Sequence, residues 1–309
     1  MELGIRMQNI QNFLQKNNIK SPYLRYAKNI YSQFGDDGIV EQLLNELLPT
    51  PLNVIRGLNR SKKLYQSKRK NWKQCRCKKQ SRRKILSKPR GMVVEFGAWD
   101  GIYISNTYQL WAHENFNALL IESDFKRYKQ LYKFSKKFGN IEPIRAAVSP
   151  DPAHENSMEN IIRESRFDIH SNNSENYILL SIDVDSCDYR IFKTLAEFRP
   201  FLLLIEIAGG WKPEEEYVGT GASLQSLVKL AEEKQYTLVC ATGNAYFVRN
   251  DKLHLLKHYD NSLSIHDYHL DDKMTNEILS KIDQEGNVGK EYYYLTDKYN
   301  MLVHHEKTI

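Results

Sequence analysis

Apolar and polar positions change their period along this 309-residue chain. Over the first 50 residues the period is helical. Ile10, Phe13 and Leu14 share one face, and Ile39, Leu43, Leu44 and Leu47 repeat that spacing in IVEQLLNELL, which Pro51 closes. Between these helices lies YSQFGDDG (31–38), where Asp36 and Asp37 stand near a helix N-terminus and read as cap residues complementing its exposed amides. From Met92 onward short apolar runs alternate with amphipathic stretches. MVVEF (92–96), NALLIES (117–123), IEPIRAAV (141–148), YILLSIDV (177–184) and FLLLIEI (201–207) read as strands. SNTYQLWAHE (105–114), DFKRYKQLYKFSKKF (124–138), CDYRIFKTLAEF (187–198) and SLQSLVKLAEEK (223–234) read as helices. YTLVC (236–240) and AYFVR (245–249) flank the turn ATGN (241–244), so those two strands are antiparallel neighbours. The pattern predicts an α/β, Rossmann-like fold: a mostly parallel seven-stranded sheet with an antiparallel terminal hairpin and helices on both faces. Ligands of such sheets bind at the carboxyl ends of the strands.

Charge divides the chain more sharply than hydropathy does. The net charge is +6, yet residues 56–90 hold 16 Lys/Arg and no Asp or Glu, leaving 28 basic against 38 acidic residues, about −10, on the rest. Four segments follow: an N-terminal helical extension (1–55), a basic insert (56–90), a core (91–250) and a polar C-terminal extension (251–309). The insert has little apolar periodicity and reads as solvated chain. It also admits a nucleic-acid contact with Tyr65 and Trp72 as stacking groups, a targeting signal, or a tether for an acidic partner. Cys75 and Cys77 form a CxC without neighbouring histidines, which does not suit zinc. Four cysteines make no disulfide scaffold, no run of about 18 apolar residues offers a membrane span, and the first residues lack a signal peptide's apolar centre. The expected setting is reducing and cytoplasmic. In the tail, His254, His258, His266 and His269 read as scattered surface residues, although the HDYH pair is spaced to share a metal.

The candidate chemistry sits in VVEFGAWDGIY (93–103), a strand running into a glycine loop. Glycines let backbone approach a ligand, and a following helix offers amides. Glu122 ends the next strand 21 residues after Gly101, where a carboxylate accepts both hydroxyls of a ribose. A pyrophosphate needs an uncharged G-x-G-x-x-G loop, whereas this loop holds Asp100 and lies near Glu95, Glu122 and Asp124. S-adenosylmethionine has no phosphate and carries a sulfonium and an ammonium, which carboxylates attract; Trp99 or Tyr103 adds an aromatic face. The charge pattern therefore favours the methyl donor.

In order, GDDGIVEQLL, VVEFGAWDGIYISNTYQL, LLIESD, RAAVS, LLSIDVDSCDYRIFKTL and LLLIEI resemble the successive signatures of FkbM-type S-adenosylmethionine-dependent methyltransferases, from about Tyr31 to Arg249 without the basic insert. The resemblance implies a class I methyltransferase fold whose last strand is antiparallel. It implies that Glu95, Gly97 and Gly101 line the methionine end of the cofactor, with Ala98 and Asp100 of the same loop as further cofactor-binding residues. Glu122 would bind the ribose, Ala146 and Ala147 would lie near the adenine, and Asp183 would face the transferred methyl. The chain departs from the family at Asp185–Ser186, where an E-G pair is common, and in placing the basic insert before the first core strand.

Methyl transfer needs an aligned nucleophile and, for a hydroxyl, a base. Asp183, Asp185 and Glu206 end neighbouring strands and are the candidates; Asp183 and Glu206 are assigned the catalytic role. Asp183 and Asp185, two apart on a strand, would point the same way and could hold Mg²⁺, or one could orient substrate while Asp185 caps the following helix. No metal is assigned. The expected activity is O-methylation of a small molecule or a sugar or glycan hydroxyl. The alternatives are an RNA acceptor reached through the insert and an inactive binding module of the same fold.

Overall fold

The computed structural model describes residues 11–52, 89–167, 176–268 and 277. Seven strands form one sheet: β1 (Met92–Phe96), β2 (Asn117–Glu122), β3 (Ile141–Arg145), β4 (Tyr177–Ile182), β5 (Leu202–Glu206), β8 (Tyr236–Ala241) and β9 (Asn244–Arg249). Their spatial order is β3-β2-β1-β4-β5-β9-β8. The first five are parallel, and β9 runs antiparallel to both β5 and β8. This is the Rossmann-like, mostly parallel seven-stranded sheet with an antiparallel terminal hairpin expected from the alternation. The crossover between β3 and β4 across β1 splits the sheet, which opens a crevice at the carboxyl ends of β1 and β4.

Alternate residues of the buried strands feed two cores. Val93, Ala118, Leu120, Leu179, Leu202 and Leu204 face one side; Val94, Phe96, Leu119, Ile121, Leu180, Leu203 and Ile205 face the other. The first core is completed by Phe13, Leu14, Tyr23 and Leu24 and by Ile39, Leu43, Leu44 and Leu47 of helix α1 (Asp36–Leu47). Residues 11–52 therefore form part of the layer covering the sheet. The second core takes helices α4 (Met158–Arg163), α5 (Asp188–Lys193) and α6 (Leu224–Glu233).

Several elements are shorter than their apolar patterns. Helix α2 spans Tyr108–His113 and not 105–114, because Ser105 Oγ, Asn106 N and Thr107 Oγ1 all donate to the Glu95 carboxylate. Strand β3 stops at Arg145, so Ala146 and Ala147 leave the sheet. Helix α5 ends at Lys193, where Glu159 Oε1 accepts the amides of Ala196, Glu197 and Phe198. The pattern gave no sign of α4, of the ribbon β6–β7 (Val218–Gly219, Gly221–Ala222) or of α7 (Ile265–Tyr268). Helix α3 (Phe125–Ser135) lies within the expected 124–138, capped by Asp124.

Most of the basic insert, with Tyr65, Trp72, Cys75 and Cys77, lies outside the described residues, as does His269. Arg90 Nη1 donates to Thr50 O at 2.8 Å, so the two flanks of the insert lie side by side. His258 contacts Arg25 at 2.8 Å and Tyr26 Oη at 2.9 Å, tying the tail to the N-terminal segment. Among the described residues, no helix is long and apolar enough to cross a membrane.

Candidate active site

A cavity of about 380 Å³ opens at the carboxyl ends of the central strands. Its floor begins at Gly97, where φ is +81° and an added Cβ would overlap the Asp183 carbonyl. Only glycine permits this approach of the β1 and β4 ends. The amides of Gly97 and Ala98 both donate to Ile121 O at 3.0 Å, which folds the loop over the end of β2.

Glu122 is buried, at 4% exposure, yet its residue lines the cavity. One carboxylate oxygen accepts Trp99 N at 2.9 Å and the other accepts Asp124 N at 2.7 Å. Both oxygens are oriented before any ligand arrives and retain further acceptor capacity. Ala146 and Ala147 continue the wall beyond β3. Arg127 also lines it, its guanidinium 3.3 Å from the centroid of the Trp99 ring, with Tyr103 5.0 Å from Trp99. In the sequence Arg127 reads only as one of many cations on the α3 surface; its position five residues after Glu122 is the sole signal.

The proposed cofactor residues divide into two sets. Gly97, Glu122, Ala146 and Ala147 line the cavity, together with Asp183 and Glu206. Glu95, Ala98, Asp100 and Gly101 do not line it. Asp100 Oδ1 accepts the amides of Ile102 at 2.9 Å and Tyr103 at 2.8 Å, so this carboxylate fastens its own loop. Gly101, at φ +85°, packs against Leu131. Glu95 is buried; burial raises its pKa, while its bonds to Thr107, Ser105 and Asn106 pull the other way.

At the other end, one oxygen from each of Asp183, Asp185 and Glu206 lies within 4.8 Å of the others. Strand geometry does not produce this meeting. Strand β4 stops at Ile182, and Asp185 sits exposed in a turn at φ +62°. Nor does Asp185 cap the next helix. The helix's N-cap is Cys187, with no side-chain cap bond; Asp188, its first residue, instead accepts Val184 N on Oδ1 at 2.8 Å and ties the helix start back to the turn. Burial, then Asp188, Asp185 and Glu95, push the Asp183 carboxyl up to about 7. Burial, then Asp183, Asp188 and Asp185, push Glu206 up to about 8. Like charges this close in a half-buried site do not all ionise at neutral pH, so the cluster retains protons there. Cys187 borders the same end, half-buried.

Gln33 also lines the cavity, from the turn YSQFGDDG. Asp36 and Asp37, expected as cap residues, perform other tasks. Helix α1 is preceded by Gly35 with no side-chain cap. Asp37 Oδ2 accepts the amides of Ile30, Tyr31 and Ser32 and the Ser32 hydroxyl, at 2.7–2.8 Å. Asp36 is fully buried and accepts from Tyr246 Oη and, at 3.2 Å, Asn244 Nδ2. Tertiary partners 208 and 210 residues away are invisible to local spacing.

The chain matches no protein-family model and no curated protein sequence. Among solved structures it is similar to a chain of the fibrillarin/NOP5P complex, at 15% identity over 52% of this chain and 72% of that one (TM-score 0.33). It is also similar to TYW2 of M. jannaschii in complex with AdoMet, at 17% identity over 51% and 68% (TM-score 0.32). A SAM-dependent methyltransferase from Aquifex aeolicus is similar at 13% identity over 68% and 96% (TM-score 0.31). These likenesses are too slight to bear on activity; the strand order defines the fold without them.

Proposed function

We propose that this chain is an S-adenosylmethionine-dependent methyltransferase acting on a hydroxyl of a small molecule, a sugar or a glycan. The observation that carries this reading is one cavity with two dissimilar ends. The buried Glu122 carboxylate, held by two amides, lies at one end, and the proton-retaining Asp183 and Glu206 pair lies at the other. Glu122 suits a ribose diol, the side-chain-free floor at Gly97 suits close backbone approach, and Ala146 and Ala147 leave room for a base. When bound, the cofactor supplies an electrophilic methyl group.

The chain's own residues then orient the acceptor and move a proton. An ionised Asp183 or Glu206 takes the acceptor hydroxyl's proton as its oxygen turns nucleophilic. With values near 7 and 8, the pair is matched to that task at neutral pH. The same carboxylates, with Asp185, are hard oxygen donors of the kind that hold Mg²⁺. Turnover that survives chelation assigns the cluster to the proton; turnover lost to EDTA and restored by Mg²⁺ assigns it to the metal. The activity itself is tested with labelled donor against glycosides, hydroxylated aromatics and RNA. Asp183→Asn should bind the donor yet lose transfer, and transfer to none of the acceptors would count against the reading.

A further inference from the structure

Gln33 is the one described residue of the cavity wall that comes from outside the span 97–206. The turn that carries it is fixed on every side. Asp37 gathers three backbone amides and a hydroxyl, Asn29 Oδ1 accepts Gly35 N, and Lys28 exchanges backbone bonds with Gly35 and Gly38. Phe34 (φ +57°) and Gly35 (φ +86°) are both left-handed, a conformation costly for phenylalanine. The Phe34 ring occupies space that exists only because residue 243 of the hairpin turn is glycine. Asp36 clamps the turn to β9 through Tyr246 and Asn244. All this order presents one half-buried glutamine, whose side-chain amide makes no hydrogen bond among the described residues. Side chains held this way by a rigid supporting shell are characteristic of binding sites.

We infer that Gln33 positions the methyl acceptor, its amide hydrogen-bonding a second hydroxyl of that molecule, so that the preferred acceptor is polyhydroxylated. This rests on the methyltransferase reading. The chemistry at that end of the cavity supports the assignment. Asp183, Asp185, Glu206 and Ser186 supply oxygens, and Arg127 stands with Trp99 and Glu122 at the other end. A carboxylate that removes one proton cannot also donate to a second hydroxyl oxygen, whereas a carboxamide both donates and accepts. Asp36, three residues along the turn, accepts from Asn244, the residue paired with Glu206 across β5 and β9, and Phe34 packs at Gly243, whose carbonyl accepts Ile207 N, which brings the turn to the same end.

The test uses the full chain, labelled S-adenosylmethionine, methyl glycosides of common hexoses and their monodeoxy analogues. Gln33→Ala should leave cofactor affinity and the thermal midpoint unchanged and raise the glycoside KM about tenfold, with kcat changing less. Wild type should discriminate against one monodeoxy analogue by a similar factor, and Gln33→Ala should lose that discrimination. An unchanged KM, or weakened cofactor binding, would overturn the role of Gln33. Cofactor binding without methylation of any glycoside would overturn the acceptor class. Absence of cofactor binding would overturn the methyltransferase reading beneath both.

Discussion

Replacing Glu206 by Gln should stabilise the protein while removing transfer. The Glu206 carboxyl is half-buried, and no hydrogen bond to it exists among the described residues; its neighbours are Asp183, Asp185 and Asp188. Its pKa rises from 4.5 to about 8. At 1.36 kcal/mol per tenfold change in proton affinity, ionising it in the folded state costs at most about 5 kcal/mol, and partial solvent access reduces this to roughly 2 kcal/mol. The sign follows from linkage. Between the unfolded value near 4.5 and the folded value near 8 the native state holds more protons, so the cluster's contribution to stability falls as pH rises through that window. Glutamine has no charge to lose. The variant should match wild type at pH 4, gain on it steadily as the pH climbs, and exceed it by about 4–8 °C at pH 8.5, taking 2–4 °C per kcal/mol for a chain of this size. Thermal melts across that range, without cofactor, measure it. A midpoint difference independent of pH, or a less stable variant at pH 8.5, would refute the reasoning.

The same values fix the pH dependence of catalysis: kcat/KM should rise with pH through about 7–8 and then level, because the base must lose its proton. Asp37→Ala strands three buried amides and should cost about 3 kcal/mol, a fall of about 6–12 °C in thermal midpoint. Gly97→Ala forces a side chain into the Asp183 carbonyl at positive φ and should abolish cofactor binding in whatever protein remains folded, as read by titration.

The sheet was legible because its strands are buried on both faces and therefore appear as unbroken apolar runs, as in NALLIE and LLLIE. The turn ATGN betrayed the hairpin by its residue types. Glu122 could be placed because strand, glycine loop and helix fix the spacing between loop and acid. The site's remaining features depend on tertiary packing. Asp100 looked like a ligand carboxylate, yet it bonds amides two and three residues on, a choice between loop and ligand that composition does not record. Asp36 and Asp37 had the right position for caps, but their partners lie on β9 and in the preceding turn. Gln33 carried no local signal, and Arg127 only its position five residues after Glu122, since residue type distinguishes neither from surface residues.

Whether the cavity holds S-adenosylmethionine is decided by calorimetric titration of the full chain with that cofactor. Saturable one-to-one binding in the micromolar range is expected, weakened at least about tenfold by Glu122→Ala, which would remove the proposed acceptor of the ribose hydroxyls. No saturable binding at millimolar cofactor, or binding unaffected by Glu122→Ala, would contradict that reading.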